Sequence, residues 1–171
     1  MATTLLLIDL QRNMLEPPEQ VPSADRLINL AHGLLERARA AGASVVHVRN
    51  NGGAGDPDLP GSPGWELYHV PMEGEAIVDK FEPDAFADTD LSELIPAGST
   101  ILTAGLASDR CVRATALSAR RRGYDVRLIR GAHGAYDGGG KTAETIEKEI
   151  EHELHEAGVR IVEPGSPIFR A

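Results

Sequence analysis

Short apolar runs alternate along this chain with longer segments whose apolar residues recur at the spacing of a helix. The runs with the length of strands cover residues 3–11, 44–50, 75–81, 99–107, 124–130 and 159–164. The segments with helical spacing cover residues 23–43, 88–95, 109–123 and 141–158. A stretch rich in glycine and proline, residues 50–64, follows the second strand and predicts a long loop. The pattern therefore predicts strands and helices in alternation.

Strands that alternate with helices form βαβ units, whose right-handed crossovers cover both faces of a parallel sheet. The sequence therefore predicts an α/β fold, a doubly wound three-layer sandwich with a mostly parallel central sheet. In such sheets, ligands bind outside the carboxyl ends of the strands, near the point where the strand order reverses. Asp9, Lys80 and the segment before Cys111 lie at predicted strand ends, so they are the first candidates for a functional site.

Length and charge narrow the possible functions. The chain has 171 residues, of which 42% are hydrophobic, so we expect one globular domain over residues 1–171. The formal net charge is −9, which argues against binding of nucleic acid through its phosphates. The apolar runs are too short to span a bilayer, so we expect no membrane role.

Cysteine content and the N-terminal residues bear on the compartment. Cys111 is the only cysteine, so the chain cannot form an intrachain disulfide. The N-terminal residues lack the basic region and long apolar segment of a signal peptide. These features predict a cytoplasmic protein.

Cys111, Asp9 and Lys80 together offer the groups of a nucleophilic site. Cys111 falls at a predicted helix start, where unpaired N–H groups favour the thiolate and lower the pKa of the thiol. A nearby carboxylate such as Asp9 can take the thiol proton, and a lysine such as Lys80 can hold both groups in place. Each residue also has a plainer interpretation. Cys111 fits a small buried residue, Asp9 a turn residue or the phospho-acceptor of a receiver domain, and Lys80 a solvated lysine.

Four segments carry recognisable motifs. Residues 5–15 (LLLIDLQRNML) contain an apolar strand followed by Asp-x-Gln, and residues 61–67 (GSPGWEL) contain Pro-Gly-x-Glu. Residues 79–91 (DKFEPDAFADTDL) contain a lysine followed by Asp-Ala-Phe, and residues 104–126 (AGLASDRCVRATALSARRRGYDV) contain Ser-Asp-x-Cys-Val. In this order and spacing, the four segments resemble the isochorismatase-like cysteine hydrolases. This superfamily includes isochorismatases, nicotinamidases and N-carbamoylsarcosine amidohydrolases.

The resemblance implies a catalytic triad in which Cys111 is the nucleophile, Asp9 the base and Lys80 the residue that orients both. It implies attack of the sulfur on an acyl carbon and a thioester acyl-enzyme that water hydrolyses. It also implies a cis peptide bond between Leu106 and Ala107. The backbone N–H groups of Ala107 and Cys111 would then form the oxyanion hole.

The sequence departs from the nicotinamidases at their metal site. Those enzymes carry Asp-x-His after the second strand, whereas residues 48–61 here contain no histidine. Asp56 and Asp58 alone are weak metal ligands. We therefore expect no metal and no cofactor, which argues against nicotinamidase activity.

A second departure follows the fifth predicted strand. Gly131 stands where the family often has an acidic residue. We expect this change to alter the loop that carries His133 and Tyr136 without touching the triad. His133 fits either a wall of the site or a surface loop.

Five side chains are candidates for the lining of a substrate pocket: Met14, Leu15, Trp65, Phe86 and Tyr136. Core packing is the alternative for the first four, Phe86 in particular. Trp65 is the only tryptophan, and it fits either a pocket wall or a contact with a second subunit. The resemblance implies a homodimer or homotetramer.

The function indicated is that of a metal-independent cysteine hydrolase that cleaves a C–N amide or carbamoyl bond of a small molecule. One alternative is an isochorismatase-type vinyl-ether hydrolase, in which the aspartate acts as an acid and the thiol is not needed. Another is a non-catalytic scaffold that keeps the fold. The presence of Cys111 beside Asp9 and Lys80 favours the first.

Overall fold

A single parallel sheet forms the centre of the protein. The structure, a computed structural model, describes residues 2–169. Its sheet is built from β1 (Thr3–Ile8), β2 (Ser44–Asn50), β3 (Ala76–Lys80), β4 (Thr100–Leu106), β5 (Asp125–Gly134) and β6 (Arg160–Val162). The strand order is β3-β2-β1-β4-β5-β6, and each neighbouring pair is parallel.

Helices cover both faces of this sheet. They are α1 (Arg12–Leu15), α2 (Ala24–Ala40), α3 (Leu91–Leu94), α4 (Arg113–Arg121) and α5 (Ala143–Glu156). A 3₁₀ turn covers Pro63–Trp65, and a π-helical turn, Ser108–Val112, leads into α4. Among residues 2–169, no helix is long and apolar enough to cross a lipid bilayer.

The two faces of β1 show why the sheet needs two helical layers. Successive side chains of a strand point to opposite faces. Leu5 and Leu7 pack in the core on the α2 side, whereas Leu6 and Ile8 pack in the core that includes residues of α4 and α5. Both faces of β1 are therefore buried, and the predicted doubly wound three-layer fold is confirmed.

The strand order reverses beside β1. From β1 the chain builds outward through β2 to β3, and then returns to place β4 on the other side of β1. The carboxyl ends of β1 and β4 therefore flank the position where ligands bind in such sheets. The sheet register pairs Ile8 with Gly105 and Asn50 with Lys80 at this same edge.

One strand is longer than the sequence pattern predicts. The apolar run predicts an end at Arg130, but β5 continues to Gly134 and therefore contains Gly131 and His133. Gly131 has a φ of 75°, which a glycine adopts without strain, so the strand can bend there and go on. The loop expected at this point begins only after Gly134.

Candidate active site

Lys80 is the centre of a cluster of polar side chains at the carboxyl edge of the sheet. Its Nζ atom lies 3.1 Å from Asp9 Oδ2 and 3.3 Å from Cys111 Sγ. A third contact, of 2.9 Å, joins Nζ to Asn50 Oδ1. An ammonium group has three hydrogens to donate, and here each has an acceptor. This explains how the Lys80 side chain can be 0% exposed and still be charged.

Asp9 follows β1 in an unusual backbone conformation. Its φ is 52°, in the left-handed region that aspartate tolerates better than most residues. Its N–H donates to the carbonyl oxygen of Val48 over 2.9 Å, which ties the turn to β2. Such conformations cost free energy and persist where the surrounding structure enforces them, commonly at functional sites.

Gln11 and Asn50 hold the loops around this edge. The side chain of Gln11 is buried, and its Nε2 atom donates to the carbonyl oxygens of Asn50 and Trp65, both over 3.0 Å. Its Oε1 atom accepts from the N–H of Asn50 over 2.8 Å. The Asn50 side chain in turn bridges Lys80 and Asp58, since its Nδ2 atom donates to Asp58 Oδ2 over 2.7 Å. Sequence reasoning missed Asn50, although its place at the end of the strand between β1 and β3 was a usable signal.

Cys111 lies in the π turn, directly before α4 and half-buried. The peptide bond between Leu106 and Ala107, at the end of β4, is cis. The carbonyl oxygen of Ala107 accepts from the N–H groups of Arg110 and Val112, over 3.1 and 3.2 Å. Ala107 and Cys111 both line the cleft described below. This position is consistent with an oxyanion hole formed by their N–H groups, which stays a prediction.

Burial shifts the pKa of all three ionisable groups, and for Asp9 and Cys111 it decides the direction. It raises the pKa of Asp9, and the nearby Lys80 only partly offsets this effect. Burial, together with the charge of Asp9, raises the pKa of the Cys111 thiol to about 12. Burial lowers the pKa of Lys80, but the charges of Asp9 and Cys111 outweigh it, so the pKa of Lys80 is raised.

These shifts oppose one expectation. The sequence predicts a thiolate at the helix start, whereas burial and the charge of Asp9 raise the pKa of the thiol. Asp9 Oδ1 is buried and has no hydrogen-bond partner by geometry within residues 2–169, so it can accept a proton. Asp9, Cys111 and Lys80 lie close enough together that their ionisations are coupled.

A cleft of about 820 Å³ opens over these groups. Its floor contains Asp9, Asn50, Ala107 and Cys111, and its apolar wall contains Met14, Tyr136, Ile146 and Ile150. The charged residues along it are Asp58, Asp109, Arg110, Asp137, Lys141 and Glu149. Lys141 is occupied by Glu149, with contacts of 2.7 and 2.9 Å, so carboxylates exceed free cations around the opening.

Two of the five predicted lining residues, Met14 and Tyr136, lie in this cleft. The Tyr136 hydroxyl donates to the carbonyl oxygen of Glu19 over 2.6 Å, which links the loop after β5 to the segment after α1.

The other three are corrected, because they lie outside the cleft lining found within residues 2–169. Leu15 is 4% exposed in the core on the α2 side. Phe86 is 4% exposed on the opposite side, where its ring stacks on Tyr124 at 5.9 Å. The guanidinium carbon of Arg49 lies 3.5 Å from the centroid of the Trp65 ring. A contact between Trp65 and a second subunit stays a prediction. A hydrophobic residue near a strand end fits core and cleft equally well, so sequence alone does not separate the two.

His133 is neither a wall of the cleft nor a surface residue. It is 1% exposed in β5, with Nδ1 2.8 Å from Ser108 Oγ and Nε2 3.1 Å from Glu151 Oε1. The sequence did not indicate this burial because the strand continues past its apolar run.

Asp56 and Asp58, the two carboxylates of the loop after β2, both accept hydrogen bonds from neighbouring residues. Asp56 accepts from the N–H of Gly53 over 2.7 Å, and Asp58 accepts from Asn50. In the part of the chain that the structure describes, no three His, Cys, Asp or Glu side chains are grouped so that they could hold a metal ion.

Several known proteins are similar to this chain in sequence. A streptothricin hydrolase from Streptomyces noursei is 48% identical over 138 residues, which are 78% of this chain and 54% of that protein. The secreted isochorismatase effector Isc1 of Verticillium dahliae is 33% identical over 142 residues, 79% of this chain and 74% of the relative. This chain spans about half the length of the streptothricin hydrolases it matches.

The fold has relatives among solved structures as well. A putative isochorismatase hydrolase from Oleispira antarctica superimposes with a TM-score of 0.88 at 25% identity, over 98% of this chain and 96% of that one. The sequence model of the isochorismatase domain matches residues 3–150. That match contains the strands of the switch point, Asp9, Lys80 and Cys111, and this chain belongs to the isochorismatase family.

Proposed function

We propose that this protein is a cysteine hydrolase that cleaves a C–N amide or carbamoyl bond of a small molecule, with Cys111 as nucleophile, Asp9 as base and Lys80 as the fixed cation. The observation that carries the proposal is the position of Lys80 Nζ, 3.1 Å from Asp9 Oδ2 and 3.3 Å from Cys111 Sγ. A nucleophile, a base and a group that orients both are the parts that acyl transfer needs.

The first half of the reaction forms the acyl-enzyme. Cys111 Sγ attacks the carbonyl carbon of the substrate while Asp9 takes the thiol proton. The N–H groups of Ala107 and Cys111 stabilise the oxyanion that forms. The C–N bond then breaks, Asp9 returns the proton to the leaving nitrogen, and the acyl group stays on sulfur as a thioester.

The second half releases the acid. Asp9 takes a proton from a water molecule, whose oxygen attacks the thioester carbon. The C–S bond breaks, and the proton returns to sulfur. The sum is one amide and one water converted to one carboxylic acid and one amine, and each step uses groups that the chain itself supplies.

Lys80 makes the proton transfer possible in a buried site. A free thiolate is costly here, because burial raises the pKa of the Cys111 thiol to about 12. The proton therefore leaves sulfur together with the attack rather than before it. Lys80 remains beside Asp9 and Cys111, so its positive charge offsets the single negative charge, which lies on Asp9 at rest and on the substrate oxygen in the tetrahedral intermediate.

The charge of the cleft bears on the substrate. Asp58, Asp109 and Asp137 line the opening together with one free cation among the described lining residues, Arg110. Such a surface repels anions and favours neutral or cationic molecules. It argues against isochorismate, a dicarboxylate, as the substrate. The relatives named streptothricin hydrolases make streptothricin the first substrate to try.

One observation favours the vinyl-ether alternative. Burial raises the pKa of Asp9, and a protonated aspartate is what an acid-catalysed vinyl-ether cleavage requires. The alternative leaves Cys111 without a chemical role, although Lys80 contacts its sulfur.

A substrate panel with two variants tests the proposal. The wild type, Cys111→Ala and Cys111→Ser are incubated with streptothricin, N-carbamoyl amino acids, simple primary amides and isochorismate, and products are followed by mass spectrometry. We expect hydrolysis of an amide by the wild type and its loss in both variants, with a substrate-dependent mass increase on Cys111 after rapid quenching. Amide turnover that survives in Cys111→Ala would contradict the covalent mechanism. Turnover of isochorismate alone, unchanged in Cys111→Ala, would support the alternative.

A further inference from the structure

A hydrogen-bond chain of three polar side chains, two of them buried and the third half-buried, starts in the turn that contains the nucleophile. Ser108 Oγ lies 2.8 Å from His133 Nδ1, and His133 Nε2 lies 3.1 Å from Glu151 Oε1. Ser108 and His133 are 0% and 1% exposed. None of the three is among the described residues that line the cleft, so none can touch a substrate there.

The two ends of this hydrogen-bond chain, Ser108 and Glu151, lie on elements that form the site. Ser108 begins the π turn that also contains Cys111. Glu151 belongs to α5, and the same helix contributes Ile146, Glu149 and Ile150 to the cleft wall. His133 stands between them on β5, paired in register with Gly105 of β4.

At the outer end of this hydrogen-bond chain, the carboxylate of Glu151 is an acceptor of hydrogen bonds. Glu151 Oε2 accepts from Arg130 Nε over 3.2 Å, while Oε1 faces the histidine ring. An ionised carboxylate only accepts, so His133 Nε2 carries a hydrogen.

We propose that His133 is a positioning residue, which holds the π turn through Ser108 and Glu151 so that Cys111 stays against Lys80. The polar groups of Ser108 and His133 are costly to bury, and the cost is offset only when their hydrogen bonds are satisfied together. Loss of either contact of His133 leaves buried polar atoms unpaired and frees the turn to move. Displacement of a reacting atom by about 1 Å is enough to lower a rate by up to about a hundredfold.

The proposal rests on the proposed function for its catalytic consequence, but its structural part does not need a substrate. Because Cys111 is the only cysteine, the rate of alkylation by iodoacetamide, read by intact mass, reports on the turn alone. When the turn moves, the sulfur leaves the place where burial and the charge of Asp9 raise the pKa of its thiol, so the thiolate fraction grows and alkylation becomes faster.

Three variants and one control make the test. Ser108→Ala and His133→Phe break the chain, while His133→Asn keeps a polar atom near the position of Nδ1. Ser118→Ala is the control, because Ser118 is also buried and lies in α4, away from the chain. We expect Ser108→Ala and His133→Phe to lower kcat about tenfold with little change in KM and to raise the alkylation rate at pH 9 about tenfold, and His133→Asn to reverse most of both changes.

The outcomes are distinct. If the alkylation rates and kcat values of Ser108→Ala and His133→Phe are within twofold of those of Ser118→Ala, the hydrogen-bond chain only stabilises the fold and the proposal is overturned. If His133→Phe does not fold, Ser108→Ala decides. If the wild type hydrolyses no amide, the proposed function fails, and the alkylation rates still support or overturn the positioning role.

Discussion

Gly105 of β4 packs directly against the backbone of Ile8 in β1. A Cβ atom on Gly105 would lie 2.7 Å from the nitrogen and 2.8 Å from the carbonyl carbon of Ile8, and it would overlap the carbonyl oxygen. The φ of Gly105 is 137°, which side chains rarely adopt. Asp9 follows Ile8 directly, so the absence of a side chain at Gly105 sets where the proposed base stands.

Gly105→Ala is therefore expected to disturb both stability and the site. We expect a loss of about 2 kcal/mol or more in the free energy of unfolding, from strain and from the clash with Ile8. Urea denaturation measures it, with activity assayed in parallel. Gly42→Ala is the matched control, since Gly42 also has a positive φ, of 64°, but open space around it. Equal losses in the two variants would show that the contact with Ile8 does not matter.

Asp9→Asn separates two effects of one carboxylate. The charge of Asp9 adds to burial in raising the pKa of the Cys111 thiol, while Lys80 lowers it. Removal of the carboxylate charge therefore lowers the pKa of the thiol and increases the thiolate fraction, about tenfold for each pKa unit. We expect this variant to be alkylated faster than the wild type at pH 8 and yet to lose turnover. Circular dichroism checks the fold. Slower alkylation in Asp9→Asn would mean that Asp9 activates the thiol in the resting protein.

Asn50→Ala tests the third partner of Lys80. Without Oδ1, one buried ammonium hydrogen has no acceptor, which costs about 1 to 3 kcal/mol. The backbone clamp with Gln11 is kept, because it uses the N–H and carbonyl oxygen of Asn50. We expect kcat to fall about tenfold. Asn51→Ala is the control, since it loses a side-chain contact to Trp65 Nε1 but does not touch Lys80. A loss of kcat no larger than in Asn51→Ala would remove Asn50 from the site.

The fold and the position of the three reactive residues could be predicted from the sequence for the same reason. In a parallel sheet, strand ends meet at one edge, so Asp9, Lys80 and Cys111 could be expected there from the alternation of strands and helices alone. The thiol pKa could not be predicted, because it depends on burial by residues far apart in the chain. Leu15 and Phe86 fit the cleft wall and the core equally well in sequence, and the structure places both in the core.

The carboxylate of Glu75, at the end of the sheet opposite the cleft, should make the stability of the protein depend on pH. Its carboxylate contacts Arg39 Nε at 2.6 Å, His47 Nε2 at 2.8 Å and the N–H of Met72 at 2.9 Å. Burial opposes ionisation of this carboxyl, but the hydrogen bonds from Arg39 and Met72 outweigh it and lower the pKa of Glu75 to about 2. A lowered pKa means that the stabilisation is complete above the ordinary glutamate pKa near 4.5 and is lost as the pH falls toward 2.

Glu75→Gln should therefore be less stable than the wild type at pH 7, by about 2 kcal/mol, with the difference shrinking between pH 4.5 and 2. Urea denaturation over this pH range measures it. Glu144→Gln is the control, because Glu144 makes an exposed pair with Lys148 that contributes little. A wild-type advantage that stays constant down to pH 2 would contradict the role of the Glu75 charge.

Asp109 tests the charge preference of the cleft. Its side chain is exposed and lines the opening beside Arg110, so its removal leaves the triad and the core intact. For a cationic amide substrate, we expect Asp109→Asn to raise KM about threefold at low salt and to change kcat little, because a surface charge acts mainly on the approach of the ligand. The effect should disappear near 0.5 M salt, where the Debye length is only about 4 Å. Glu73→Gln removes an equal charge from an exposed site outside the cleft lining and should leave KM unchanged. A KM for an anionic analogue that is lower than for the cationic amide would show that carboxylates do not select the substrate.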